Sequence, residues 1–242
     1  MSQTFGASRF DAIVDRSITE IKSNVKTIGQ YAFYGCTNLI TAAFPKATSV
    51  EGYAFNGCTN LTTIDMPNLS NENLTTHTDS NIFAGCTSLT RVYLPKLGRA
   101  HNYAFQNCTS LQAIALPSWR GANSHVFAGC TNLTFVDYGG PNVTPSSMAT
   151  AEFMNCSNLN TIIFRYNTVK YLGNVDMFAG TPFISGGAGG TIYIPKVLYD
   201  HLGDGTSLDY KANANWAALT ITWAQIEGSQ YENYFADGTP IT

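Results

Sequence analysis

Six cysteines, four histidines and a few carboxylates are the residues in this chain whose types could do chemistry. Cys36, Cys58, Cys86, Cys108, Cys130 and Cys156 lie 22, 28, 22, 22 and 26 residues apart. A structural zinc site would need convergent ligands, typically a C-x-x-C pair, and the sequence has none. Disulfides need thiols aimed at one another, whereas evenly phased side chains that point the same way suit that geometry poorly. His77, His101 and His125 are 24 residues apart, with His201 far downstream. Relative to the next phenylalanine of their string they stand six, four and two residues upstream, so they would not stack into a metal column. Asp65 and Asp137 share one phase but sit three repeats apart. At ~5 Å per repeat that is roughly 15 Å, beyond the ~5–9.5 Å used by glycosidase carboxylate pairs. The strings G-x-S-x-G, H-E-x-x-H, G-x-G-x-x-G and the P-loop are all missing. The sequence therefore predicts no catalytic residue, no metal and no cofactor.

What the cysteine spacing does specify is a repeat. Each cysteine falls in the string F-x-x-C-[TS]-[NS]-L, which begins at Phe33, Phe55, Phe83, Phe105, Phe127 and Phe153. Apolar residues return six, nine and eleven positions after each Phe, as in Leu61, Ile64 and Met66 or Leu111, Ile114 and Leu116. The last two alternate as in a strand, and Pro45, Pro67, Pro95 and Pro117 then turn the chain. A unit of 20 to 28 residues with one short strand cannot bury its apolar face alone and must stack on its neighbours. One buried cysteine per unit at fixed phase predicts a structural ladder of thiols inside that stack.

The fuller string A-F-x-G-C-T-N-L-T-x-I-x-L-P resembles the BspA-like class of leucine-rich repeats over residues 18–195. The resemblance implies a β-rich α/β solenoid, a right-handed superhelix with one short parallel strand per turn. It also implies extracellular surface and adhesion proteins of bacteria and some protists, with similar repeats in proteins of gut bacteriophages. Six full repeats start near residues 31, 53, 81, 103, 125 and 151, within a solenoid expected to span 18–192 with partial repeats at both ends. Residues 1–17, with Phe10, Ile13 and Val14 on helical spacing, read either as an N-terminal cap or as a tether. Near the other end the pattern decays, with Thr181 where cysteine belongs and Ile184 in place of the leucine. Residues 193–242 resemble the small α+β C-terminal cap of such proteins, in which Trp216 and Trp223 are expected to seal the core. Two longer turns place extra residues at 68–80 and 139–150, which predicts surface loops.

Composition narrows the function further. Of 242 residues 44% are apolar, enough for a large core, yet only 12% are charged, about half the usual ~25%. Thirteen basic against sixteen acidic side chains, with no basic cluster, argue against nucleic-acid binding. No run approaches the ~18 apolar residues of a membrane span, and the first sixteen residues lack the pattern of a conventional secretory signal.

A solenoid offers its outward strand positions as columns, here eight and ten residues after each Phe. The first runs Thr41, Thr63, Arg91, Ala113, Phe135, Thr161 and the second Ala43, Asp65, Tyr93, Ala115, Asp137, Ile163. Against mostly small neighbours, Asp65, Arg91, Tyr93, Phe135 and Asp137 stand out as candidate binding residues, since outward aromatics and arginine anchor interfaces. The expectation is a non-enzymatic interaction protein, an outward-facing bacteriophage virion component such as a receptor-binding fibre or capsid decoration protein. Its partners would be a host surface protein or polysaccharide and other virion proteins, at the virion surface. A BspA-type adhesin on the bacterial surface and a purely architectural virion subunit are the alternatives.

Overall fold

The computed structural model describes residues 4–5, 16–70, 80–122, 124–140, 142–144, 150–168 and 175–232. The chain winds as a parallel β-solenoid of about six turns. Its principal sheet forms two runs: Glu20–Lys22, Thr41–Ala43, Thr63–Asp65 and Arg91–Tyr93, then Ala113–Leu116, Phe135–Tyr138, Thr161–Phe164, Gly190–Ile194 and Ile221–Gln225. Every neighbouring pair is parallel and in phase, with Ala42, Ile64 and Val92 aligned in the first run and Ile114, Val136, Ile162 and Ile192 in the second. Shorter strands line another side of the coil: Thr4–Phe5, Thr27–Ile28 and Ser49–Val50, then Arg99–Ala100 and Gly121–Ala122. The proposed helix through Phe10, Ile13 and Val14 lies outside the described residues.

The corner that carries the F-x-x-C string explains why those residues recur. Phe33, Phe55, Phe83, Phe105, Phe127, Phe153 and Phe178 are buried and stack face to face, with ring centroids 4.9 to 5.9 Å apart. Each Phe amide from Phe33 to Phe153 donates to a carbonyl one turn on, at 2.7 to 3.0 Å. Three residues later the cysteine donates its thiol backward, Cys58 to the Phe33 carbonyl, then Cys86 to Phe55, Cys108 to Phe83, Cys130 to Phe105 and Cys156 to Phe127, at 3.0 to 3.3 Å. All six thiols are buried and unoxidised. A hydroxyl or methyl would fill the slot less well: sulfur is large enough to touch both neighbours and apolar enough to sit there, yet keeps a weak donor for the carbonyl.

Two left-handed residues flank this corner. Two positions after the Phe stand Gly35, Gly57, Gly85, Asn107, Gly129, Asn155 and Gly180, with φ between 58 and 75°. At Gly129 a Cβ would lie 2.2 Å from the Asn107 side-chain oxygen and would push that amide aside, while the φ of 75° itself favours glycine. The uncharged composition has its reason here too. Threonine hydroxyls hydrogen-bond the preceding turn, Thr62 to the Ile40 carbonyl, Thr90 to Thr62 and Thr134 to Gln112, and asparagine amides do likewise, Asn158 to Thr131. Short polar side chains satisfy peptide groups that a charged surface would leave to water.

After Cys156 the repeat changes. Thr181 turns its hydroxyl to the Phe178 carbonyl of its own turn, 2.7 Å away, so the backward bond of the ladder is lost. The residue filling the leucine slot is Phe183, fully buried, while Ile184 is exposed, a correction to the sequence reading. Pro182 follows Thr181 directly, and the tight turn back to Gly187 leaves Ile184 at its outside. Two one-turn helices, Lys196–Tyr199 and Ala214–Ala217, then bring Trp216 against Phe164, Phe178, Tyr210 and Trp223.

Burial pushes the Cys58 thiol up to about 12 and those of Cys86, Cys108 and Cys156 well above the ordinary range, so little thiolate forms near neutral pH. Cys36, at the end of the column, is raised by burial but pulled back by Arg16. Native alkylation should therefore modify Cys36 first and the others only on unfolding. Cys108→Ser should cost about 1–3 kcal/mol in urea titrations, because the shorter hydroxyl reaches the Phe83 carbonyl poorly. Rapid labelling of all six thiols, or a neutral serine variant, would contradict the ladder.

Candidate functional site

The outward face of the principal sheet carries the five candidate residues, and register places them in two groups. On the first run Thr63 lies beside Arg91 and Asp65 beside Tyr93. Asp65 and Arg91 are exposed and Tyr93 is half-buried. On the second run Phe135 lies beside Ala113 and Thr161, and Asp137 beside Ala115 and Ile163. Ala113 and Ala115, with the interruption of strand pairing between Arg91–Tyr93 and Ala113–Leu116, separate the groups.

Only the first group lies open. Asp137, expected to point freely outward, is 3% exposed. The reason is Arg165, one turn on, whose guanidinium grips both oxygens: Nε to Oδ1 at 2.8 Å and Nη2 to Oδ2 at 2.8 Å. The same guanidinium donates to the backbone carbonyls of Tyr231 at 2.8 Å and Glu232 at 3.3 Å. The chain thereby returns across the sheet's outer face after its last strand. The Tyr231 ring lies 5.5 Å from Phe135 and 4.7 Å from Tyr193, between centroids. Phe135, the second residue expected to be available, is thus half-covered by a segment of its own chain. Ile163, in the same column, is fully buried.

Arg165 and Tyr231 are the residues that reasoning from the repeat missed. Arg165 stands one position outside the strand Thr161–Phe164, at the phase where Pro45, Pro67, Pro95 and Pro117 end the earlier strands. The signals available were the loss of that proline and an unlike charge one turn from Asp137. The burial that the pairing creates is costly: it lifts the Asp137 carboxyl to about 6, against the opposing pull of Arg165. A second buried acid, Glu152, accepts from the Tyr138 hydroxyl at 3.0 Å within the aromatic core.

Among the described residues no three His, Cys, Asp or Glu side chains converge on a metal position, and no helix is long and apolar enough to cross a membrane. His201 pairs with Asp204 at 2.6 Å, His125 lies against Ser124, and His77 is outside the described residues.

Comparison with known proteins gives a consistent pattern. The profile described as a BspA type leucine rich repeat region matches in six copies, over residues 3–134 and 76–185. No curated protein matches the sequence. A T. pallidum leucine-rich repeat protein aligns at 21% identity and TM-score 0.38 over 58% of this chain and 53% of its own. The pneumococcal vaccine antigen PcpA aligns at 17% and 0.44 over 78% and 40%. A leucine-rich repeat protein from Bacteroides ovatus aligns at 16% and 0.30 over 91% and 87%. The chain thus spans about half the length of the treponemal protein and two-fifths of the pneumococcal one.

Two outcomes are expected from the Arg165 clasp. A carboxyl raised in the folded state holds its proton more tightly than in the unfolded chain, at ~3.9. Its contribution to stability is fully present below pH ~4 and is lost as pH rises through about 6. The carboxyl resonance of Asp137 should titrate near pH 6, and a midpoint at or below 4 would contradict the buried pairing. Arg165→Met should leave the Asp137 charge buried and unpaired and cost about 3–5 kcal/mol; a melting curve that does not move would show that the clasp is not formed in solution.

Proposed function

Since the chain belongs to the BspA-type leucine-rich repeat family, we propose that it is a non-enzymatic protein-binding solenoid that works at a cell surface, using the open half of its principal sheet. The observation that carries this reading is the contrast between the two halves of that face. The half bearing Phe135 and Asp137 is occupied by Arg165 and Tyr231, while Asp65, Arg91 and Tyr93 project from adjacent strands with threonine and alanine around them. A carboxylate, a guanidinium and a phenol within two strands form a compact anchor set. Arginine offers a planar fork of donors, tyrosine a rigid ring with one polar tip, and the small neighbours let a partner approach the sheet closely.

The partner that fits is a protein. The group has both signs of charge, which suits the mixed polar rim of a protein interface better than a polyanion or a neutral glycan. Family membership supports a surface-interaction role and carries no link to bacteriophages. The virion component expected from the sequence, whether fibre or decoration protein, is therefore set below a bacterial surface protein of the BspA type.

The double variant Arg91→Ala/Tyr93→Ala should keep the wild-type melting temperature, because neither side chain is in the core. In surface plasmon resonance against solubilised host-cell envelope proteins it should lose more than ~2 kcal/mol of binding, some thirtyfold. Equal binding by the folded variant would refute this face as the site.

A further inference from the structure

A second surface, away from the principal sheet, combines aromatic rings with strained backbone. Two residues before each core phenylalanine from Phe33 to Phe153, the chain passes through the left-handed region at Tyr31, Tyr53, Asn81, Tyr103, His125 and Ala151, with φ between 56 and 61°. Asparagine enters this region at little cost, whereas other L-residues pay about 1–2 kcal/mol. Three tyrosines and a histidine hold positions that asparagine occupies more easily one turn away. Because the conformation recurs at one phase, the turn itself requires it, and what varies from turn to turn is the side chain placed there.

The column is continuous in the backbone. The Tyr53 amide donates to the Ser80 carbonyl at 2.9 Å, the Asn81 amide to Asn102 at 2.9 Å and the Tyr103 amide to Ser124 at 3.1 Å. Its rings form two stacks. Tyr31 and Tyr53 lie 5.1 Å apart and 10° from parallel, and Tyr103 and His125 lie 5.0 Å apart and 28° from parallel. Between the stacks stands Asn81, half-buried, and none of these rings is in the core. Two turns separate Tyr53 from Tyr103, or about 10 Å at the ordinary strand spacing. The two stacks therefore leave between them a slot one turn high, where this column carries the short Asn81 in place of a ring. Neutral polar residues neighbour this column in sequence: Asn56 and Gln106 follow Tyr53 and Tyr103 by three residues, and the Ser124 amide donates to the Asn102 side-chain oxygen at 2.9 Å.

We propose that this slot binds one pyranose unit of a neutral polysaccharide, held between the faces of Tyr53 and Tyr103 above Asn81. A pyranose presents C–H groups on its faces and hydroxyls around its rim. Aromatic faces take the former, their negative quadrupole meeting the weakly positive C–H hydrogens, and amides take the latter as both donor and acceptor. A flat aromatic ligand would leave a gap of about 10 Å incompletely filled, and among the described residues this column holds no lysine or arginine to pair with an anionic chain. This site is separate from the protein-binding face and stands whether or not that assignment holds.

The test is affinity electrophoresis of the intact protein through gels containing soluble neutral polysaccharides, a β-glucan, a mannan and a xylan, with hyaluronan as the anionic counterpart. The wild type should be retarded by at least one neutral polymer. Asn81→Tyr should fill the slot and join the two stacks, keeping or raising the melting temperature while reducing retardation at least tenfold. Tyr53→Asn, which the backbone tolerates as it does at Asn81, should lose binding to the same extent. A wild type that runs freely in every neutral gel, retardation by hyaluronan alone, or undiminished retardation of folded Asn81→Tyr would each overturn the proposal.

Discussion

The hydrogen bond between successive turns at the Phe–Cys corner is the interaction on which the rest of this structure depends. Each corner sends one backbone amide forward and one thiol back, and its Phe carbonyl accepts the thiol of the next turn, so a turn has its polar groups satisfied only when both neighbours are in register. Phenylalanine stacking adds the apolar counterpart along the same axis. A single bond of this kind contributes little, about 0.5–1.5 kcal/mol net, and a thiol donor less. What matters is repetition at fixed phase, because a slip of one residue would turn every inward side chain outward. Stability of this sort is a sum over neighbours, and no turn owns it.

Rigidity at the corner frees the other positions. Outward strand residues and the left-handed column contribute little to the core, so they can vary without changing the coil. Two chemically distinct surfaces result, one with mixed charge around Arg91 and one of tyrosine and amide around Asn81. The Arg165 clasp shows the opposite use of an outward position. There the chain spends a buried ion pair, unfavourable in itself as the lifted Asp137 carboxyl shows, to hold Tyr231 across the sheet. Such pairs give specificity of placement more than stability.

Much of this was legible in the sequence because repetition reports on geometry. Six copies of F-x-x-C-[TS]-[NS]-L define which residues face inward, and Cys36 to Cys156 are all buried. Outward columns could be read by phase alone, which is how Asp65, Arg91 and Tyr93 were identified. Phase could not reveal what lies over a column. Asp137 and Phe135 have the same periodic credentials as Asp65 and Arg91, yet Arg165 and Tyr231 cover them from 28 and 96 residues away in sequence. Ile184 fails for a related reason: once cysteine gives way to Thr181, the offset that predicted burial no longer applies. The left-handed column was invisible for a third reason, since backbone strain at Tyr53 or Tyr103 leaves no compositional mark.

Native-state hydrogen exchange tests the central claim most directly. If the corner holds the turns together, the amides of Phe55, Phe83, Phe105 and Phe127 should exchange as one slow class through a shared opening, whatever the sequence of the turn they belong to. Exchange of these amides as fast as that of exposed positions such as Thr37 or Thr131, or a separate rate for each turn with no common opening, would contradict it.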